Sequence, residues 1–158
     1  MGILITFILV IILGLNIFVY LLSNKIKILE ENIINIFKKR NNQIVSIYQI
    51  SKKYINKPDE VFKTFFDLKR KDFIDNNINF DNKLLIYKEI HNEINFIFKI
   101  CEQNKKLTLD EKYLYIKDSI FDKSNDIGKN IELYYKIKKE FNNYKKLSNI
   151  TFLGIFIK

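Results

Sequence analysis

A continuous apolar stretch near the amino terminus constrains this chain more than any other feature. It reads ILITFILVIILGLNIFVYLL over residues 3–22, and these twenty residues include no charged side chain. An α-helix of that length rises about 30 Å, the thickness of the hydrocarbon core of a bilayer. A buried helix of a soluble protein usually carries a polar stripe along one face, and this stretch has none. The pattern therefore predicts a transmembrane helix.

The residues around the stretch predict that it stays attached and how it is oriented. A cleaved signal peptide has a basic segment before a shorter apolar core, and small residues at the cleavage site. Here no Lys or Arg precedes the stretch, and no Ala-x-Ala-like triplet follows it. Lys25 and Lys27 come directly afterwards, followed by the basic triplet at residues 38–40. We therefore predict an uncleaved anchor over residues 1–23, with a domain at residues 24–158 on the cytoplasmic side.

Beyond the anchor the apolar residues recur at helical spacing. One long helix is expected over residues 24–56, continuing the anchor as a single rod until Pro58 stops or kinks it. A second helix over residues 59–74 begins with acids, which suit the positive end of a helix dipole. A loop at residues 75–81 then leads to a third helix over residues 82–104.

The last third of the chain is predicted to form one more long helix. Thr108 and Glu111 have the spacing of a capping box, in which a hydroxyl and a carboxylate cap the start of a helix. The helix is expected to run from about Leu109 through Gly128 to about Leu147. The apolar tail after it would pack on the bundle or enter the membrane surface. The predicted fold class is all-α, an N-terminal transmembrane helix followed by an elongated, antiparallel bundle of about four helices.

Three residues of the last helix share one face at helical spacing. Tyr134, Ile137 and Phe141 are expected to lie in the core and to clamp this helix onto the long first helix. The expected partners on the first helix are Ile44, Ile47 and Tyr48.

The composition limits the functions that the chain can have. The net charge is +9, but the Lys residues alternate with Asp and Glu, as on a generally solvated surface. Amino acids with GC-rich codons are scarce, which indicates an AT-rich genome. The single cysteine, Cys101, cannot form an intrachain disulfide, and its apolar helical surroundings are typical of a core residue.

The side chains needed for catalysis or metal binding do not form recognisable patterns. Four glycines are too few to suggest a phosphate-binding loop. His91 is the only histidine and Cys101 the only thiol, which is too few for a His/Cys zinc site or a di-metal site in a bundle. They are ten positions apart on one predicted helix, so they cannot form a nucleophilic pair. His91 is expected at the surface or its boundary, and we predict no catalytic, cofactor-binding or metal-binding residues and no enzymatic activity.

Two stretches of the chain resemble one known family. KKRNNQIVSIYQISKKYI at residues 38–55 is similar to a segment of bacterial LemA-family proteins, which has a basic pair, an apolar core and a Lys-x-Tyr ending. NIELYYKIKKEFNNYKKLSNITFLGIF at residues 130–156 is similar to the family's paired Tyr-Asn segments and apolar tail. The family's Tyr-Pro-x-Leu-Lys segment is replaced by EQNKKLTLDE, and the proline of its tail is absent. The chain is identified as a divergent LemA-like member, which implies a single membrane helix, an elongated helical bundle and no catalytic residues.

The function expected from the sequence is that of a single-pass membrane protein with a non-catalytic helical interaction or scaffold module. Its expected partners are the lipid bilayer and one or more proteins, and no small-molecule substrate or cofactor is evident. One alternative is a membrane structural protein associated with a phage or with secretion. Another is a membrane-tethered nucleic-acid-binding protein. Nucleic acid is not expected as a partner, because the aromatic residues lie at core spacing and the basic residues form no patch.

Overall fold

The structure, a computed structural model, describes residues 2–74 and 79–156. Within these residues the chain forms four α-helices and one short 3₁₀ turn, with no strand, which confirms the predicted all-α class. The helices group into two compact units. We call Met1–Ile33 with Gly128–Lys158 the terminal unit, and Ile34–Ile127 the central unit.

Helix α1 runs without a break from Gly2 to Ser51, so the apolar stretch and the following segment form one rod, as predicted. No glycine or proline lies between residues 15 and 57, so nothing interrupts the helical hydrogen bonds. Six residues then form a turn that ends at Lys57, whose φ of 57° is left-handed and incompatible with a continuing helix. The helix stops before Pro58, as predicted, but it ends at Ser51, five residues earlier than the predicted end at residue 56.

Helices α2 (Pro58–Ile74) and α3 (Phe80–Glu102) follow, close to their predicted positions. Pro58 is the first residue of α2, where a missing N–H removes no helical hydrogen bond. Asn79 caps α3, because its side-chain oxygen accepts a hydrogen bond from the backbone N–H of Asn82 at 2.9 Å. The loop predicted between the two helices lies largely outside the described residues.

The start of helix α4 (Glu111–Phe156) corrects the predicted capping box. Thr108 lies inside the 3₁₀ turn Leu107–Leu109, and its hydroxyl donates to a carbonyl three residues earlier. Asp110 caps the helix instead, since its carboxylate accepts from the backbone N–H of Tyr113 at 3.0 Å. That hydrogen bond, and another from a tyrosine hydroxyl, lower the pKa of Asp110. An ionised carboxylate at this position both caps the helix and interacts favourably with its dipole.

Helix α4 is also longer than predicted. The sequence predicts an end near Leu147, whereas the helix continues to Phe156. Gly128 lies inside it with open space around the Cα, so this glycine does not end the helix, as predicted. The segment after Leu147 has no proline and a single glycine, Gly154, so no residue in it forces the helix to stop.

The core of the central unit is built from aromatic and aliphatic side chains of all four helices. Phe37 of α1 stacks on Tyr87 of α3, with ring centroids 3.5 Å apart. Tyr48 of α1 meets Phe62 of α2 edge to face at 5.3 Å. Cys101 is fully buried, as predicted, and burial raises the pKa of its thiol to about 12. Further fully buried side chains of this unit are Ile44, Ile47, Phe65, Ile90, Ile97, Leu107, Tyr113 and Ile120.

In the terminal unit the first part of α1 and the last part of α4 run antiparallel. The rings of Phe18 and Tyr144 meet edge to face, with centroids 4.8 Å apart. The hydroxyl of Ser148 donates to the side-chain oxygen of Asn16 at 2.8 Å. These two contacts fix the register of the helices within the unit.

This register corrects the contact predicted for the last helix. Tyr134 and Ile137 are buried, as predicted, whereas Phe141 is only half-buried. The contact between Phe18 and Tyr144 sets the register. Ile28 lies ten residues after Phe18 on α1, and Tyr134 lies ten residues before Tyr144 on the antiparallel α4, so Tyr134 is level with Ile28. The predicted partner Ile44 lies sixteen residues further along α1 than Ile28, so the predicted clamp has the wrong register. Helical spacing identifies the buried face, but it does not say which part of the partner helix covers that face.

Candidate functional site

The terminal unit presents an apolar surface formed by the first part of α1. Ile3, Phe7, Val10, Leu13 and Ile17 are each exposed by 60% to 88%. The most apolar 18-residue window has a mean hydropathy of 2.8, and only 6% of it is buried. A core helix of a soluble protein can be equally long and apolar, but its side chains are mostly buried. Among the described residues, α1 is the one helix that is long and apolar enough to span a membrane.

Two of the three polar side chains within this stretch, Thr6 and Asn16, form hydrogen bonds within the protein. Thr6 donates to the carbonyl of Ile3 and Asn16 to that of Ile12, each at 2.8 Å. The side-chain oxygen of Asn16 accepts from Ser148 of α4. In a hydrocarbon environment a polar group needs such an internal partner, because water cannot reach it. These hydrogen bonds make the surface compatible with lipid.

A second feature lies in the central unit, where a buried arginine is surrounded by three helices. Arg40 of α1 is 2% exposed, and its guanidinium carbon lies 4.7 Å from the centre of the Phe37 ring. Its Nη1 lies 3.5 Å from Nδ1 of His91 on α3 and donates to the hydroxyl of Ser124 on α4 at 3.3 Å. We call Phe37, Arg40, His91 and Ser124 the Arg40 cluster.

Further polar side chains adjoin the cluster along α1 and α4. The Gln43 amide nitrogen donates to the hydroxyl of Ser119 at 2.8 Å, and the Lys123 ammonium donates to the same hydroxyl at 2.7 Å. The side-chain oxygen of Gln43 is buried without a hydrogen-bond partner. The interior here is therefore polar and positively charged, which is unusual for the middle of a helical bundle.

The charge of Arg40 lacks a counter-charge among the described residues. No ion pair there includes it, and its Nε and Nη2 are buried without a hydrogen-bond partner. Burial lowers the pKa of Arg40 to about 10, so the guanidinium is still protonated at neutral pH. A buried charge without a partner destabilises a fold by several kcal/mol. The cluster is therefore the most costly polar arrangement that we identify in the central unit.

The sequence predicted the boundary position of His91 but not the cluster. His91 is half-buried, as expected for a boundary residue, but its contact with Arg40 was not predicted. A signal for Arg40 was present, since it stands three residues after Phe37 and four before Ile44, on the core stripe of the helix. Among residues 2–74 and 79–156, no three His, Cys, Asp or Glu side chains lie together where they could hold a metal ion.

The contact between His91 and Arg40 predicts that stability depends on pH. Burial and then the charge of Arg40 lower the pKa of His91 below its ordinary value of 6.5. The unfolded chain therefore binds a proton at His91 more readily than the folded chain, so stability falls as the pH decreases below about 6.5. We expect the melting temperature in detergent to fall between about pH 7.5 and 5.5, and to fall less for His91→Gln. Equal decreases in the two proteins would contradict this role of His91.

No family model, curated protein or solved structure matches this chain. The LemA resemblance therefore stays a prediction that depends on two stretches of sequence. The function has to be argued from the exposed apolar surface and from the Arg40 cluster.

Proposed function

We propose that this chain is a single-pass membrane protein that presents a helical interaction module. One observation carries the proposal, the exposed apolar surface of α1 with a mean hydropathy of 2.8 and only 6% of its window buried. Soluble monomers rarely expose an apolar patch larger than a few hundred Å². A bilayer would cover this surface, and the length of the stretch matches the thickness of the hydrocarbon core.

The end of α4 would enter the same membrane beside α1. Residues 147–157 contain no charged side chain, and Leu147 and Ile150 are exposed by 51% and 67%. The Asn16–Ser148 hydrogen bond lies inside the proposed span. A polar pair between two helices is favourable in lipid, where neither partner can be hydrated. This arrangement leaves α1 as the single crossing and adds a short helical segment that dips into the bilayer.

Tyrosine and lysine side chains mark the proposed membrane boundary. Tyr20 and Tyr144 are exposed by 64% and 37%, on α1 and α4 respectively. Tyrosine is enriched at membrane–water interfaces, where its ring lies among the headgroups. Lys145 and Lys146 follow Tyr144 directly, and their long side chains can reach the interface from a shallow depth.

The orientation follows from the basic residues near the span. Lys25 and Lys27 directly follow the apolar stretch. The positive-inside rule therefore places the central unit in the cytoplasm. Cells expressing Asp122→Cys, an exposed position, test this with a membrane-impermeant thiol reagent. We expect labelling only after the cells are permeabilised, whereas labelling of intact cells would reverse the orientation. Cys101 contributes little background, because it is fully buried and burial raises its thiol pKa to about 12.

The central unit would then be the part that meets other proteins. Several of its large apolar side chains are exposed even though it has a well-packed core. We propose that a protein partner covers some of these side chains. A pull-down from detergent-solubilised membranes would identify that partner. The exposed residues are Leu85, Phe96, Leu109, Leu114, Tyr115 and Phe121.

A further inference from the structure

The Arg40 cluster offers a binding site that membrane anchoring does not require. We propose that the cluster binds a small oxyanion, such as phosphate, sulfate or a carboxylate, through Nε–H and Nη2–H of Arg40. The proposal depends on the central unit alone, so it stands or falls independently of the membrane proposal.

The edge of the guanidinium that has no hydrogen-bond partner has the right chemistry for such a ligand. Nη1 is occupied by His91 and Ser124, at 3.5 Å and 3.3 Å. Nε and Nη2 form the other edge, and both are buried without a partner. The N–H groups of this edge are nearly parallel and match two oxygens of one carboxylate or phosphate. The ring of Phe37 lies against the guanidinium at 4.7 Å, so a ligand would approach in the guanidinium plane.

Nearby acids do not supply the missing negative charge. Burial raises the pKa of Glu93, which lies two residues after His91, and no interaction with Arg40 lowers this pKa. Asp122, two residues before Ser124, is exposed. A bound water could accept one hydrogen bond from Arg40, but it would not neutralise the charge. A small anion would satisfy both N–H groups and the charge together.

The ligand must be small because the cluster is enclosed. Arg40 is 2% exposed, and its two unpartnered nitrogen atoms have almost no contact with solvent. The side chains that enclose this edge must move apart to admit a ligand, and a single inorganic oxyanion or the carboxylate of a small acid would require less movement than a nucleotide or a lipid.

The two arginines of the chain allow a direct test on the unmodified protein. Arg40 is buried and Arg70 is exposed, so arginine labelled with ¹⁵N gives one probe at the site and one internal control. The full chain in detergent is titrated with sodium phosphate, sulfate or formate. A parallel titration with sodium chloride at the same ionic strength is the control. We expect a saturable shift of the Arg40 Nε–H signal and no saturable shift of the Arg70 signal.

A tightly bound anion could already occupy the site after purification. The protein is therefore also denatured, and the anions that it releases are quantified by ion chromatography. Either a saturable shift of Arg40 or about one oxyanion released per chain supports the proposal. If neither is found, the Arg40 edge is satisfied by water or left unpaired, and the proposal is wrong.

A matched pair of variants tests the role of the guanidinium edge. Arg40→Lys keeps the positive charge but removes the paired N–H groups, and Arg70→Lys makes the same change at an exposed position. We expect oxyanions to raise the melting temperature of the original protein and of Arg70→Lys above the value in chloride. Arg40→Lys should show no such increase, and an equal increase in all three proteins would indicate nonspecific salt stabilisation.

Discussion

Truncating Phe37 to alanine is expected to lower the free energy of unfolding by about 3–5 kcal/mol, the usual loss for a buried aromatic side chain. Phe37 is fully buried and stacks on Tyr87 with centroids 3.5 Å apart. Its ring also faces the guanidinium of Arg40 at 4.7 Å. The substitution would therefore open a cavity and remove a favourable contact from a buried cation. Such a loss is a large part of the stability of a typical domain.

Phe96→Ala is the matched control, because it makes the same chemical change on α3 at a side chain that is 51% exposed. We expect its effect to stay within about 0.5 kcal/mol. Unfolding of the full chain in detergent, followed by the helical circular dichroism signal, gives both values. Similar losses in the two variants would contradict the placement of Phe37 in the core.

Placing lysine at both Val10 and Leu13 is expected to remove the protein from the membrane. Each residue lies near the middle of the apolar stretch and is exposed by 65% or 62%, so neither is needed for packing within the chain. A lysine at the centre of a membrane helix costs about 2.5–3.5 kcal/mol on the insertion scale. Two such residues should block insertion while leaving the central unit folded. Fractionation of cells expressing the variant measures the loss from the membrane.

The control variant carries the same two new charges at the end of the stretch. Ser23→Lys with Asn24→Lys adds positive charge beside Lys25, where the positive-inside rule favours it. We expect this variant to remain in the membrane fraction. If the Val10 and Leu13 double variant also remained there, the apolar surface would not be the anchor.

The helices could be predicted wherever local signals determine them. The length of α1 could be predicted because no glycine or proline lies between residues 15 and 57, and Pro58 indicates that the helix stops before it, but not that it ends at Ser51. The predicted cap of α4 was wrong, because the spacing of Thr108 and Glu111 fits a capping box but does not determine which side chain caps the helix. The structure selects Asp110, since Thr108 is part of the 3₁₀ turn that precedes the helix.

The Arg40 cluster could not be assembled from the sequence. Its members His91 and Ser124 are 51 and 84 residues away from Arg40 along the chain. Helical spacing places Arg40 on the core stripe of α1, but it does not reveal which side chains lie opposite. The same limit explains the wrong register for Tyr134, whose burial was predicted correctly while its partner segment on α1 was predicted wrongly. Contacts between distant helices depend on register, which local patterns do not encode.

The measurement that tests the central claim most directly is alkaline carbonate extraction of membranes from cells that express the full chain. Carbonate releases proteins that are adsorbed to a membrane surface, whereas a helix inserted across the hydrocarbon core stays in the pellet. The proposed anchor predicts that the protein remains in the membrane pellet. Recovery of the protein in the soluble fraction would contradict the account.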